Sequence, residues 1–235
     1  MSTIAATPHT AKKPYIGISM EGPLARWYEK TTRKDLAEFE RLAKELAAVL
    51  PSDARVLEVA PGPGFLSVAL AKLGPFKITG LDISESFVRM ASEYAQKEGV
   101  QVQFLHGSAS DIPLEANSVD FIVCRAAFKN FSEPLRALNE MHRVLKPGGQ
   151  AMIIDLCKDT SWSEIVRYVD GLKLSWFNGW ITRMTFKHML LRRAYTEESM
   201  KALAASSDFK GCEIKRNAVG MDIRLQRQQA TQQVA

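Results

Sequence analysis

The sequence is poor in the residues that build metal and disulfide frameworks. Its three cysteines, Cys124, Cys157 and Cys212, are odd in number, far apart and without a CxxC pair. That spacing argues against a disulfide scaffold or a cysteine-bound zinc and fits a reducing compartment. The four histidines (His9, His106, His142, His188) are scattered and no HExxH occurs, so no metal site is expected. No apolar run approaches the roughly 20 residues of a membrane span, so no stable membrane insertion is expected. The first 13 residues carry neither an apolar signal core nor an arginine. A flexible tail over residues 1–20, and a cytoplasmic location, are predicted in place of a targeting peptide. A large excess of one charge is also missing: 31 basic residues stand against 26 acidic ones, a net +5, so no nucleic-acid partner is expected. The densest basic cluster, Arg183, Lys187, His188, Arg192 and Arg193, reads first as a solvated helix face and second as a patch for an anionic ligand or membrane surface.

What is present is an ordinary globular composition, 46% hydrophobic and 24% charged over 235 residues. That suits one domain, placed at residues 21–227, with a disordered Gln-rich tail over 228–235. Residues 21–50 read as two N-terminal helices. Gly22-Pro23 opens the first, which carries Leu24, Trp27 and Tyr28. The second runs from about Asp35 to Leu50 on a stripe of Leu36, Phe39, Leu42, Leu46 and Val49, with Thr32 as a capping-box residue and Pro51 as its stop. Trp27 and Tyr28 are expected in the core, with a lid over a ligand as the other reading.

From Arg55 onward, short apolar strands alternate with helical patterns. Strands are predicted at 56–59, 76–81, 102–105, 119–124 and 151–156, and helices between them start at Phe65, after the cap Ser84, and at Pro134, the last stopped by Pro147-Gly148-Gly149. Strands this apolar imply a mostly parallel sheet buried between helices, with ligands at the strands' carboxyl ends. Glu58, Asp82, Ser108 and Asp111 fall on that rim. Residues 157–195 interrupt the rhythm with a helical insertion rich in tryptophan, phenylalanine and methionine, expected to roof the rim and line an apolar pocket. Thr196 caps a last helix, and 213–219 and 221–225 are predicted as a closing antiparallel hairpin.

The chain is organised around Val56-Leu57-Glu58-Val59-Ala60-Pro61-Gly62-Pro63-Gly64-Phe65. This reads as strand, tight turn and helix, where small residues let the backbone approach a ligand and the helix start offers free N–H groups. A dinucleotide fingerprint would put Phe65 at its third glycine, which is too bulky for the close helix–strand packing that position serves. Here the small residues stand at 60, 62 and 64.

Glu58-Val-Ala-Pro-Gly62-Pro-Gly64, Asp82, Gly107-Ser-Ala-Ser-Asp111-Ile-Pro113, Val119-Asp120-Phe121 and Leu145-Lys-Pro-Gly-Gly149 together resemble the successive motifs of class I S-adenosylmethionine-dependent methyltransferases, over roughly residues 55–156. The resemblance implies a Rossmann-like three-layer α/β sandwich around a mostly parallel seven-stranded sheet with an antiparallel last strand. Its implied cofactor is S-adenosyl-L-methionine, which leaves as S-adenosyl-L-homocysteine. Ala60, Gly62 and Gly64 would admit the cofactor to the backbone, Glu58 would order the loop and attract the cationic methionine end, and Asp82 would accept from the ribose hydroxyls. Ile83, Ser108, Ala109, Arg125 and Tyr28 complete the implied cofactor positions. Ser108 departs from the acid usual in the family's G-D-A pattern and accepts a hydrogen bond more weakly; Asp111 reads as a turn residue. Ala60 replaces the more usual first glycine.

In-line methyl transfer gains most from orientation and electrostatics and needs a base only when the acceptor must lose a proton. Candidate catalytic residues are Lys129, Asn130 and His188, with Asp155 and Tyr15 behind them; the 125–131 segment is similar to that of quinone C-methyltransferases. The expected partner is a small, largely apolar acceptor. A non-catalytic protein that binds S-adenosylmethionine or S-adenosylhomocysteine to regulate or scaffold a partner is the alternative. The sequence leaves the oligomeric state open.

Overall fold

The computed structural model describes residues 16, 20–173 and 175–229. The candidate base Tyr15, and most of the two expected tails, lie outside the described residues. Seven strands form one sheet: β1 Arg55–Val59, β2 Lys77–Asp82, β3 Gln103–His106, β4 Val119–Arg125, β5 Leu145–Leu156, β6 Glu213–Arg216 and β7 Gly220–Gln226. Their order across the sheet is 3-2-1-4-5-7-6, with only β7 running against the rest. Strand order reverses between β1 and β4, so the carboxyl ends of those two strands mark the crevice where ligands bind in such sheets.

Alternation along the central strands assigns the two faces. Val56 of β1 and Phe121 and Val123 of β4 pack against α2 (Leu36–Ala47) and α3 (Phe65–Ala71). Leu57, Val59, Ile122 and Cys124 point the other way, onto α5 (Pro134–Val144) and α8 (Glu197–Ser206). The expected three-layer sandwich is the one observed. On the first side, α4 (Glu85–Lys97) continues the layer, its Ser84 cap accepting from Phe87 N–H and Gly99 ending it in the left-handed region. Thr196 caps α8 in the same way.

Three local expectations give way to tertiary structure. Thr32 caps nothing: the hydroxyl donates back to the Tyr28 carbonyl within α1 (Gly22–Thr32), and a 3-10 turn at Arg33–Asp35 joins α1 to α2. The Leu145-Lys-Pro-Gly-Gly149 stretch is part of β5 rather than a turn before it. Leu145 pairs with Val119 and Gln150 with Phe121, so a bulge absorbs the Pro and both glycines. Arg227 braces the bulge, its guanidinium donating to the His142, Arg143 and Leu145 carbonyls at the end of α5. Finally, β6 stops at Arg216, because Asn217 turns the chain by accepting from Gly220 N–H through its side chain.

The N-terminal helix is latched to α4. Met20 O accepts from Ser84 Oγ at 2.6 Å, Gly22 N–H donates to Ser86 Oγ at 3.0 Å, and Glu21 accepts from Ser86 N–H at 3.1 Å. Tyr28 packs edge-on against Phe87 at 5.6 Å, whereas Trp27 is exposed, contrary to its expected core position.

Both ends of the glycine loop sit in the left-handed region, one on an alanine and one on a glycine. Ala60 has φ +58 and Gly64 φ +80; a Cβ on Gly64 would lie 2.8 Å from Ala91 Cβ and 2.9 Å from Phe104. Gly64→Ala is expected to cost on the order of 3 kcal/mol, the sum of left-handed strain and overpacking. Ala60→Gly is expected to be neutral or stabilising by up to about 1 kcal/mol, since it relieves strain but loosens the unfolded chain. Thermal or urea denaturation of the two variants checks this; a Gly64→Ala protein as stable as the parent would refute the packing role.

Candidate active site

β1 delivers Glu58 to the rim and the chain then turns sharply. Ala60 N–H donates to Leu81 O at 2.8 Å, stitching the loop to β2, and Gly64 N–H closes a turn on Pro61 O at 3.0 Å before α3 begins. Gly62 N–H donates to Asp82 Oδ2 at 2.9 Å while Ser84 N–H donates to Oδ1 at 2.9 Å. Asp82, 5% exposed, thus joins the glycine loop to the start of α4. Its burial raises its pKa against those backbone donors. Each carboxylate oxygen keeps a second lone pair, so the group remains able to accept from a diol.

Glu58 is 4% exposed and receives a short hydrogen bond from Ser67 Oγ on α3. Burial pushes its pKa up from 4.5 to about 7, opposed by the Ser67 bond and the positive charge of Arg125 and reinforced by Asp82. Ser67, a lone polar residue inside the apolar run Phe65-Leu66-Ser67-Val68, is a partner the sequence pattern signals only by its being out of place.

Around this pair stand the other candidate positions. Tyr28 lies beside the loop, its Cε1 3.9 Å from where a Gly62 Cβ would be. Ile83 presents its carbonyl to His106 Nε2 at 3.1 Å. Ser108 Oγ accepts from Ser110 N–H at 3.1 Å, and Asp111 is an exposed turn residue whose N–H donates to Ser108 O. Ala109, half-buried, packs against the core beside them. Glu140 and Arg143 of α5 hold the following segment: Glu140 accepts from Ile112 N–H, and Arg143 donates to the Ile112 and Leu114 carbonyls. Arg125, at the end of β4, pairs with Glu38 at 2.9 Å and lies 4.5 Å over the Phe39 ring, which fixes it against α2.

On the other side of the rim, Lys129 Nζ donates to Asp155 Oδ1 and to Ala126 O, both at 2.7 Å, and Lys129 N–H donates to Asp155 Oδ2 at 3.0 Å. Asp155 also takes Leu156 N–H at 2.8 Å. Two candidate residues from distant parts of the chain therefore meet as a buried ion pair. Asn130 O accepts from Ile16 N–H at 2.9 Å, which brings Ile16 to the same edge. Tyr195, whose pKa is raised by burial and by the Asp155 charge, packs tilted against Phe128 at 5.8 Å between ring centroids. His188 is different: it sits exposed on a π-helical turn, and no contact among the described residues joins it to the rim.

The insertion comprises α6 (Trp162–Gly171), α7 (Trp176–Thr185) and short turns to Arg193. Ile165, Val169, Phe186 and Leu191 form its own small core against Leu156 and Val219. Burial raises the pKa of Tyr168 on α6, and the negative charges of Glu38 and Asp35 act in the same direction. Most of the remaining aromatics point to solvent rather than into a roof.

The rim fits an adenosylmethionine-type ligand on its own chemistry: a buried carboxylate short of positive charge, a second with free lone pairs, and a loop kept open by glycine. Residues 57–153 match the family model described as a methyltransferase domain. The chain belongs to the class I S-adenosylmethionine-dependent methyltransferase family. It is 31% identical over 161 residues to a demethylmenaquinone methyltransferase of Bacillus subtilis, covering 67% of this chain and 65% of that protein. A demethylmenaquinone methyltransferase of Staphylococcus aureus is 37% identical over 109 residues, 45% of this chain and 44% of the relative. The chain thus spans between about half and two thirds of the length of these curated relatives. Among solved structures, a SAM-dependent methyltransferase from Aquifex aeolicus superposes with a TM-score of 0.64 at 25% identity, covering 86% of this chain and 96% of that one. One from Methanococcus maripaludis reaches 0.69 at 21% identity, over 98% and 100%, and shows the shared fold.

The raised pKa of Glu58 makes a stability prediction for this family member. A folded-state value above the unfolded 4.5 contributes stability that is present below pH 4.5 and lost as pH rises through about 7. Glu58→Gln, neutral at every pH, is therefore expected to stabilise the ligand-free protein by on the order of 3 kcal/mol at pH 8 and to change it little at pH 4.5. Thermal melts of both proteins across that window test this; an equal difference at both pH values would contradict it.

Proposed function

We propose that this protein transfers the methyl group of S-adenosyl-L-methionine to a small, largely apolar acceptor. The observation that carries the reading is the paired burial of Glu58 and Asp82 on adjacent strand ends, joined through the Gly62 loop. When bound, the cofactor supplies a methyl group on a positively charged sulfur; the carbon–sulfur bond breaks as the acceptor's electron pair forms the new bond, and the sulfur keeps its pair as a neutral thioether.

This chain's residues do the holding. Glu58 attracts the cationic methionine end, and its carboxylate form is favoured by that charge. Asp82 accepts from the ribose hydroxyls, with Gly62 and Ser84 N–H groups keeping it from turning away. Ser108 retains a lone pair for the adenine amino group, and the Ala109 backbone lies beside it. Tyr28 covers the loop and excludes water from it.

The acceptor half belongs to the Lys129–Asp155 side. A Lys129 ammonium has three N–H bonds; two are held by Asp155 and the Ala126 carbonyl, and the third is left to orient an acceptor oxygen. The pair orients the acceptor, and a quinol or phenol reacts as its oxyanion, having given up its proton to solvent before the transfer. The half-buried Tyr195 ring, with Phe128 beside it, favours an apolar ring or chain. The demethylmenaquinone methyltransferase relatives lend the same direction to the choice, a quinol or phenol-like acceptor.

Asp82→Ala is expected to weaken S-adenosylhomocysteine binding by about 100-fold, the loss of charge-assisted hydrogen bonds worth about 3 kcal/mol. Titration calorimetry measures it, and unchanged tight binding would sink the ribose role. Incubation with methyl-labelled cofactor and a panel of quinols, phenols, thiols and amines is expected to label a quinol or phenol. Tight cofactor binding with no labelled product from any acceptor would sink the catalytic reading.

A further inference from the structure

The insertion turns its aromatic side outward. Trp176, Phe177 and Trp180 on α7 are 84%, 57% and 52% exposed, and Ile181 and Met189 beside them are exposed as well. Of the ten residues of α7 only Gly179 is buried, near Val169 of α6. An apolar cluster of this size on a free surface marks an interaction site.

The charge around it names the partner. Between Trp162 and Arg193 the insertion has six basic residues (Arg167, Lys173, Arg183, Lys187, Arg192, Arg193) and two acids, Glu164 and Asp170, a net +4. The chain's whole net charge is +5, so the rest of the molecule carries only +1. Asp170 is consumed by its pair with Arg183, and the other five basic side chains lie on exposed residues. Lys187 Nζ sits 5.2 Å over the Trp162 ring, an ammonium held at the border of the apolar cluster.

We propose that the α6–α7 insertion docks on an anionic lipid bilayer surface, with α7 lying in the interfacial plane. Exposed tryptophan and phenylalanine enter the boundary between headgroups and acyl chains, and lysine and arginine around them meet the anionic headgroups. Ten helical residues, about 15 Å long, suit a helix lying in the interface and fall far short of a span. A second copy of this chain is a poor occupant, because a two-fold contact through this face would set +4 against +4. The docking rests on the surface alone and does not depend on the methyl-transfer reading.

Flotation of the full chain with vesicles is the test. Vesicles of phosphatidylcholine with 30% phosphatidylglycerol are expected to carry the protein up, pure phosphatidylcholine vesicles at least about tenfold less, and 0.5 M salt is expected to release it. Trp176→Ser with Trp180→Ser is expected to lower partitioning at least about tenfold while S-adenosylhomocysteine binding stays unchanged. On the unaltered protein, brominated lipids are expected to quench tryptophan emission, a readout that needs no variant. The proposal is overturned by failure to float with anionic vesicles, by equal binding to neutral ones, or by absence of quenching. It is also overturned if sedimentation velocity shows a dimer that the double variant dissolves.

Discussion

Two carboxylates buried side by side at the carboxyl edge of a parallel sheet are the constraint around which the rest is arranged. Glu58 and Asp82 leave water without a lysine or arginine in hydrogen-bond contact among the described residues; Ser67 and the Gly62 and Ser84 N–H groups are what they receive. Carboxylates so placed oppose folding above neutral pH, as the raised Glu58 pKa shows. The left-handed Ala60 adds strain at the same point. A ligand that brings a positive charge and a diol relieves both carboxylates at once.

The two halves of the rim are built on different physics. On the donor side, strand ends and one tight loop fix the geometry, and every anchor is backbone or a short side chain. On the other side, a buried ion pair and a tilted Tyr–Phe contact stand at the end of β5, and a helical insertion follows that strand. A buried pair such as Lys129–Asp155 contributes specificity of arrangement more than stability, because desolvation offsets most of the attraction. The proposed membrane face belongs to this second half, on the insertion that follows β5.

The donor side was legible in the sequence because its signals are local. Small residues at 60, 62 and 64, an acid two residues before them and another at the next strand's end are readable without knowing what else is near. The same holds for the Ser84 and Thr196 caps and for the mostly parallel sheet implied by apolar strands alternating with helices. What was not legible depends on contacts across the chain. The bulge that draws Pro147 to Gly149 into β5 exists because Arg227 arrives from 80 residues later, and Thr32 fails as a cap because its hydroxyl finds the Tyr28 carbonyl first. Composition could not tell whether the insertion's tryptophans face in or out, since a roof and an external docking face call for the same residues. The meeting of Lys129 with Asp155 has no sequence signature at all.

The central claim is that Glu58 stands half-protonated near neutral pH and is driven to its carboxylate by the cationic end of the cofactor. Titration calorimetry with S-adenosylhomocysteine at pH 7, repeated in buffers of different ionisation enthalpy, counts the protons released on binding. Release of roughly half a proton per ligand, falling towards none at pH 8.5 and vanishing in Glu58→Gln, is the predicted result. A binding enthalpy independent of buffer at pH 7 would contradict it.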